Sequence, residues 1–340
     1  MSFGSFVIRR LGASLIVLVG VSILIFGIAR VIPGDPARIA LGPTATPEMV
    51  EQLRDRLHLN ESWPIQYWEF VKGVGGGDLG ISLYTNRAVT TDLAQFFAAT
   101  FELVLVAAFL MVVIGVPLGV LAARYRDGPI DNLARIISLL GVVTPSFVWA
   151  IFLMLLFAFL LGILPTAGRL SESAVVPASV TGMMLIDSIL AGEWATLWNA
   201  AIHIILPATA LSLSGIGQAA RLTRANVAEA YSSQYIEMAR AYAYSERSIA
   251  MKYALRPAMI PTLTILGLDF AAMLGNAFLV EAVFAWPGMA RYGVQTILHK
   301  DINGIVGTVL VIATFFLIVN MIIDVVVSYL NPRIRLAARA

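Results

Sequence analysis

The chain has 340 residues, of which 59% are hydrophobic and only 13% charged, and its mean hydropathy is +0.84. A soluble domain has too little interior to hide that much apolar surface, so lipid must be the solvent for much of the chain. The net charge of +2 gives no polyanion-binding surface, and the absence of cysteine excludes disulfides, thiolate metal sites and a cysteine nucleophile.

At the N-terminus, MSFGSFVIRR leads into an uncharged run over residues 11–29. That run is longer than a typical signal-peptide core and no A-x-A pattern follows it, so it is expected to stay as a first span. A membrane helix needs ~20 mostly apolar residues, because each adds ~1.5 Å across ~30 Å of hydrocarbon. Six segments qualify: residues 11–29, 103–123, 136–163, 200–220, 258–280 and 305–330. Residues 173–186 are too short to cross and read as interfacial or extracytoplasmic.

The loop over residues 30–97 opens with Pro33-Gly34-Asp35-Pro36, which sets a bend. Thr46-Pro47-Glu48 reads as a helix start, with the helix running to Leu57. Trp63, Tyr67 and Trp68 suit the membrane interface, and glycines from Gly73 to Gly80 break the chain. With the N-terminus inside, the cytoplasmic segments carry 14 Lys and Arg, against three in the two shorter outer loops (Arg169, Arg291 and Lys300) and six in the long first outer loop, which obeys the charge rule weakly. The positive-inside rule therefore places both termini in the cytoplasm.

The longest cytoplasmic loop, residues 221–257, contains the start of YIEMARAYAYSERSIAMKYALRPAMIPTLT, Tyr235 to Thr264. Tyr235, Met238 and Tyr242 form an apolar stripe beside Ile236, Ala239 and Ala243. Ala239 and Ala243 are small and four residues apart, so they are expected to let a partner approach. Ser245 can cap a second short helix with Glu246 in its first turn, and Arg247 and Lys252 add charge. Periodicity alone fits either an amphipathic helix on the membrane surface or a helix that docks in a groove of a cytoplasmic ATPase.

No GxxxxGK[ST] string occurs, so the chain has no Walker-type phosphate cradle. His58, His203 and His299 are far apart, and Ser214-Gly215 with His203 lacks a nucleophile elbow. Glu102 and Glu281 lie near span ends and read as structural, and Asp324 can reach toward the cytoplasm. Asp269 lies eleven residues after Ala258, about 16 Å along a helix and near mid-membrane. It is expected either to pair with a partner subunit or to line a substrate path.

Many of these features, in order, resemble the binding-protein-dependent ABC transporter permease family, in particular the B-type subunits of oligopeptide/dipeptide permeases. Ala239-Arg240-Ala241, Ser245 and Arg256 to Pro261 are similar to the family's EAA loop. Ala243 replaces its usual glycine and resists a left-handed conformation, and Tyr242 replaces a frequent lysine. Arg9-Arg10 through Pro36, Gly77-Asp78-Leu79-Gly80 with Ser82, Ala99 to Leu103, Gly115 to Gly119, Pro145-Ser146-Phe147 and His203 to Pro207 also match. So do EAVFAWPGMAR, Glu281 to Arg291, with Ala290 for a glycine, and Asn331-Pro332-Arg333.

The resemblance implies an all-α integral membrane protein of six transmembrane helices. It would be one permease domain over residues 1–340, with an extracytoplasmic loop at 30–97, core spans two to six at 98–330 and an EAA-type coupling loop at 221–257. Glu237, Ala239, Arg240, Ala241, Ala243, Ser245 and Arg247 would couple to the ATPase, and Asp269 would line the path, although the family tends to carry an uncharged residue there. Implied partners are a second homologous permease, two ATP-binding subunits that hold ATP and Mg, an extracytoplasmic substrate-binding protein and the bacterial inner membrane. No cofactor in this chain, no catalysis and no nucleic acid are implied, and the substrates would be peptides. An ion-driven carrier acting without an ATPase is the alternative; it would need several mid-membrane charges, and only Asp269 qualifies.

Overall fold

The computed structural model describes residues 3–31, 35–42, 44–56 and 58–330. Pro33 and Gly34 of the first bend, Leu57 at the end of the short helix, and Asn331-Pro332-Arg333 lie outside the described residues. Among those described, the chain is helical, with one isolated β-bridge between Ile81 and Ala88.

The helices in chain order are α1 (Phe3–Val31), α2 (Pro36–Leu41), α3 (Pro47–Arg56), α4 (Trp63–Gly75), α5 (Val89–Arg124), α6 (Pro129–Val143) and α7 (Ser146–Leu160). They continue as α8 (Met184–Ala191), α9 (Trp194–Tyr231), α10 (Gln234–Ala241), α11 (Glu246–Val283), α12 (Met289–Leu298) and α13 (Ile302–Leu330). Five of them, α1, α5, α9, α11 and α13, are long and apolar enough to cross a membrane, and α6 with α7 make a sixth crossing if the bent pair is one span.

That pair departs from the straight span expected over residues 136–163: α7 turns away from α6 by 106°. Pro145 explains the break. It has no N–H to offer the preceding turn, and its ring pushes Thr144 out of the helical region, to φ −86° and ψ 122°. Pro117 acts more mildly in α5. It leaves the Val113 carbonyl without its usual donor, and the helix widens into a π turn over Met111–Gly115 without breaking.

Helix α9 is the central strut. Its 38 residues, at ~1.5 Å each, exceed the hydrocarbon thickness, so it projects beyond the span expected at 200–220. It packs against α5, α6, α7, α8 and α11 around a core that includes Leu103, Met111, Leu206, Leu211, Met273 and Phe284. Glycine lets α6 and α9 cross nearly backbone to backbone. A Cβ at Gly217 would lie 2.6 Å from the Ser138 carbonyl oxygen, and one at Gly141 would lie 2.5 Å from that of Leu213.

Helix α1 lies apart from this core, against α13, through Ile25, Val306 and Leu310. Asp324, expected to reach toward the cytoplasm, pairs with Arg10, which sets the start of α1 level with the end of α13. In the loop between α1 and α5, Thr46 Oγ1 accepts from Met49 N at the start of α3. Tyr67 of α4 packs on Phe26 and Phe70, and its hydroxyl meets Ser22 at 2.7 Å. The tyrosine therefore ties the loop to α1, while Trp63 and Trp68 remain exposed.

A helix–turn–helix loop and a cavity at the broken span

Helix α10, its turn and the start of α11 form the loop in which coupling residues are expected. Ile236 and Ala239 point inward, into a cluster with Val120 and Ala123 of α5, Val227 and Ala230 of α9, and Ile249, Ala250, Ala254 and Ala258 of α11. The expectation that Ala239 and Ala243 share a partner-facing side is therefore corrected. Ala239 is 5% exposed and packs on its own chain. The helix ends at Ala241, so the four-residue spacing no longer applies at Ala243.

Ala243 occupies the turn at φ 55°, the left-handed conformation that alanine resists. The Ala243 and Tyr244 amides donate to the Arg240 and Ala239 carbonyls at 2.9 and 3.1 Å and close the end of α10. Ser245 then caps α11, with Ser248 N donating to its hydroxyl at 3.3 Å, and Arg240 pairs with Glu246 at 2.9 Å across the turn. The outward surface carries Tyr235, Met238, Tyr242, Tyr244 and Met251, with Glu237, Ala241 and Arg247 also exposed.

Relieving the strained turn is expected to stabilise the loop. Ala243→Gly should gain about 1 kcal/mol, because glycine adopts positive φ without a Cβ penalty. Slower amide hydrogen exchange at Tyr244 and Ser245 than in the parent is the expected reading; unchanged or faster exchange would contradict the strain.

The second feature is a cavity of about 440 Å³ at the break between α6 and α7. Its wall comprises residues 142–147 around the break, Leu211, Ser214 and Gly215 of α9, and a face of α11 that includes Asp269, Met273 and Asn276. Asp269 and Asn276 are seven residues apart and so share one face of α11. Asp269 is the one ionisable residue in the wall, and its Oδ2 atom is buried with no hydrogen-bond partner. Arg221 acts on it through space only, and its guanidinium is held by Gln218 at 2.7 Å.

Glu102 and Glu281 are satisfied. Glu102 accepts from Arg169 Nη2 at 2.5 Å and from Leu185 N at 2.6 Å. Glu281 accepts from Thr100 Oγ1 at 2.5 Å and from Arg291 N at 3.0 Å, and Thr100 Oγ1 in turn accepts from Met289 N at 2.7 Å. Trp286 donates from Nε1 to the Ala99 carbonyl at 2.9 Å, and the Arg169 guanidinium lies 5.7 Å from its ring centre. The EAVFAWPGMAR segment is thus clamped onto the start of α5. Gly288 is required by the clamp, since a Cβ there would lie 2.2 Å from Glu281 Oε1.

Sequence reasoning reached the two ends of this arrangement and missed its middle. Asp269 stood out by depth alone. Asn276 and Thr144 did not, although the seven-residue step from Asp269 pointed to Asn276 and the proline inside an apolar run pointed to Thr144-Pro145; Ser146 and Ser214 were named for other reasons, a family match and a serine beside His203. Arg169 and Thr100 were visible in the charge count and the family match, but nothing local showed that they pair with Glu102 and Glu281.

Residues 115–336 match the family model described as "Binding-protein-dependent transport system inner membrane component", and residues 3–104 match its N-terminal companion, "Binding-prot-dependent transport system membrane comp, N-term". The chain is 38% identical over 334 residues to the "Probable D,D-dipeptide transport system permease protein DdpB" of Escherichia coli (strain K12), covering 98% of each. It is 37% identical to the "Dipeptide transport system permease protein DppB" of Alkalihalophilus pseudofirmus, covering 97% of this chain and 99% of that one. Among solved structures, a chain of the inward-facing MetNI methionine ABC transporter superposes with a TM-score of 0.52 at 18% identity, covering 70% of this chain and 96% of that chain. The fold is therefore that of an ABC importer permease, and the chain belongs to the family of binding-protein-dependent transport system inner membrane components.

Proposed function

We propose that the chain is the membrane permease of an ATP-driven importer of short peptides, working beside a second, homologous permease. The observation that carries this reading is end-to-end similarity to dipeptide permeases in a chain that presents an outward aromatic helix–turn–helix and has no nucleotide cradle of its own. Of two ATP-binding partners, holding ATP and Mg, one would dock on the surface of Tyr235, Met238 and Tyr242, with Glu237, Arg240, Ala241, Ala243, Ser245 and Arg247 shaping the contact. An extracytoplasmic binding protein would deliver the peptide.

In the mechanism, closure of the ATPase pair draws the helix–turn–helix loops together. Because Ile236 and Ala239 are packed among α5, α9 and α11, that movement passes into the spans as rigid bodies. The cavity at the broken span then opens outward to receive the peptide, and hydrolysis returns it to face inward. Both termini and the helix–turn–helix would be cytoplasmic, in a bacterial inner membrane.

Reconstitution with the partner subunits and binding protein in proteoliposomes tests this directly. Dipeptide uptake should require hydrolysable ATP on the side of the coupling loop. An impermeant thiol reagent should reach Asn60→Cys from the opposite side and leave Ser245→Cys unlabelled from there. Uptake driven by an ion gradient without any ATPase would support the carrier alternative, and the reverse labelling pattern would overturn the orientation.

A further inference from the structure

We propose that the cavity at the broken span selects for a positive group, and that Asp269 receives the α-ammonium of the passing peptide through water; this rests on the transport reading above. The cavity wall contains no lysine, arginine or histidine. Its other polar side chains, Thr144, Ser146, Ser214 and Asn276, are neutral. Asp269 is therefore the only charge in the wall, and Arg221, outside the wall, opposes it only through space.

Its buried Oδ2 atom accepts no hydrogen bond from the described residues. A carboxylate with an oxygen left without a donor is costly to hold there, and a cavity occupant that brings a donor and a positive charge offsets that cost. An ammonium group brings three N–H donors and a compensating charge together. The volume, about 440 Å³, lies within the ~300–1,000 Å³ range of small-ligand sites.

The break adds neutral polar groups to the wall: Thr144 and Ser146 flank Pro145, and Asn276 stands two turns from Asp269 on the same face of α11. With one carboxylate facing several neutral groups, a cation is attracted without being trapped, as passage requires. An anion entering the same low-dielectric space is repelled by Asp269.

The absence of native cysteine makes the field in the cavity measurable in the assembled complex. Asn276→Cys places a single thiol of this chain in the wall, and modification is read as a mass shift of this chain. Two methanethiosulfonates of similar size serve as probes, one with a trimethylammonium group and one with a sulfonate. Each rate is divided by that reagent's rate with 2-mercaptoethanol in solution.

The cationic reagent should be favoured about tenfold or more. Asp269→Asn should bring the ratio to within about twofold of unity, and Asp269→Glu should preserve it. If Asp269→Asn does not assemble, the ratio with Asp269 present still decides. A ratio near unity with Asp269 in place overturns the proposal, as does one unmoved by Asp269→Asn. Failure of both reagents to label Asn276→Cys also overturns it, because the wall would then be a subunit contact.

Occupancy by ammonium is tested with alanyl-alanine amide and its N-acetyl form, as protectants against uncharged methyl methanethiosulfonate. The free amine should slow labelling at least twice as much, and only when Asp269 is present. Equal slowing by the two overturns the ammonium assignment. These measurements need no transport, so a complex that fails to import dipeptide with ATP would refute the importer reading and leave the selectivity result standing on its own.

Discussion

The Gly217→Val substitution should leave almost no folded transporter in the membrane. At this position α9 meets α6 without any intervening side chain. A Cβ would lie 2.6 Å from the Ser138 carbonyl oxygen and 3.1 Å from a Val142 methyl group, and valine adds two further methyl groups. The helices would have to separate, and Gly141 on the facing helix relies on the same closeness. Overpacking typically costs ~1–3 kcal/mol where side chains can yield, and the obstacle here is backbone. The crossing also fixes the position of the Thr144-Pro145 break, so the cavity would be lost with the fold. Gly20→Val is the control, because a Cβ at Gly20 meets nothing within 4 Å. The readout is the monodisperse fraction after detergent extraction. A Gly217→Val yield equal to that of Gly20→Val would mean that α6 and α9 do not cross in this way.

The second large effect is expected at Met238. It is 62% exposed on the outer side of α10. Met238→Glu should cut ATP-driven peptide uptake by more than about tenfold, because burying an unpaired carboxylate in an interface costs several kcal/mol. Membrane insertion should be untouched, since the side chain makes no contribution to the inner cluster around Ile236 and Ala239. Ala239→Glu should behave differently: it forces a charge between α5, α9 and α11, so the yield of folded chain should fall before coupling is even tested. Normal uptake with Met238→Glu, or clean uncoupling of a well-folded Ala239→Glu, would reverse the assignment of the two faces.

These two residues show where sequence reasoning reached its limit. A four-residue spacing identifies a helical face without saying which way it points, and alanine is small enough for either direction. The direction came from Ile236 and Ile249, which bury with Ala239, and from the end of the helix at Ala241. A glycine at position 243 would have marked that end; the alanine there hid it, although the backbone still takes the left-handed turn.

The spans were legible for a simpler reason. Lipid demands long apolar runs, and such runs are visible in any window of the chain. The same averaging concealed the bend at Pro145, because one proline inside residues 136–163 hardly lowers the hydropathy while it removes a hydrogen bond and redirects the backbone. The depth of Asp269 followed from counting residues. The wall around it comes from three segments spread over more than a hundred residues and needed the tertiary arrangement, as did the pairing of Glu102 with Arg169.

The attachment of α1 has a bearing on how the chain is made. Arg10 and the partner that neutralises it, Asp324, are separated by almost the whole sequence, and Ile25 likewise waits for Val306 and Leu310. Synthesis at ~5–20 residues per second brings Asp324 out of the ribosome roughly 15–60 s after Arg10. During that interval α1 has Tyr67 and Phe70 of the following loop to pack on, and its α13 face meets acyl chains. It tolerates this because residues 11–29 carry no charge, so nothing within the bilayer needs a partner before the last span is released. Helix α1 thus waits for α13, and the loop that their pairing closes contains the other spans described above.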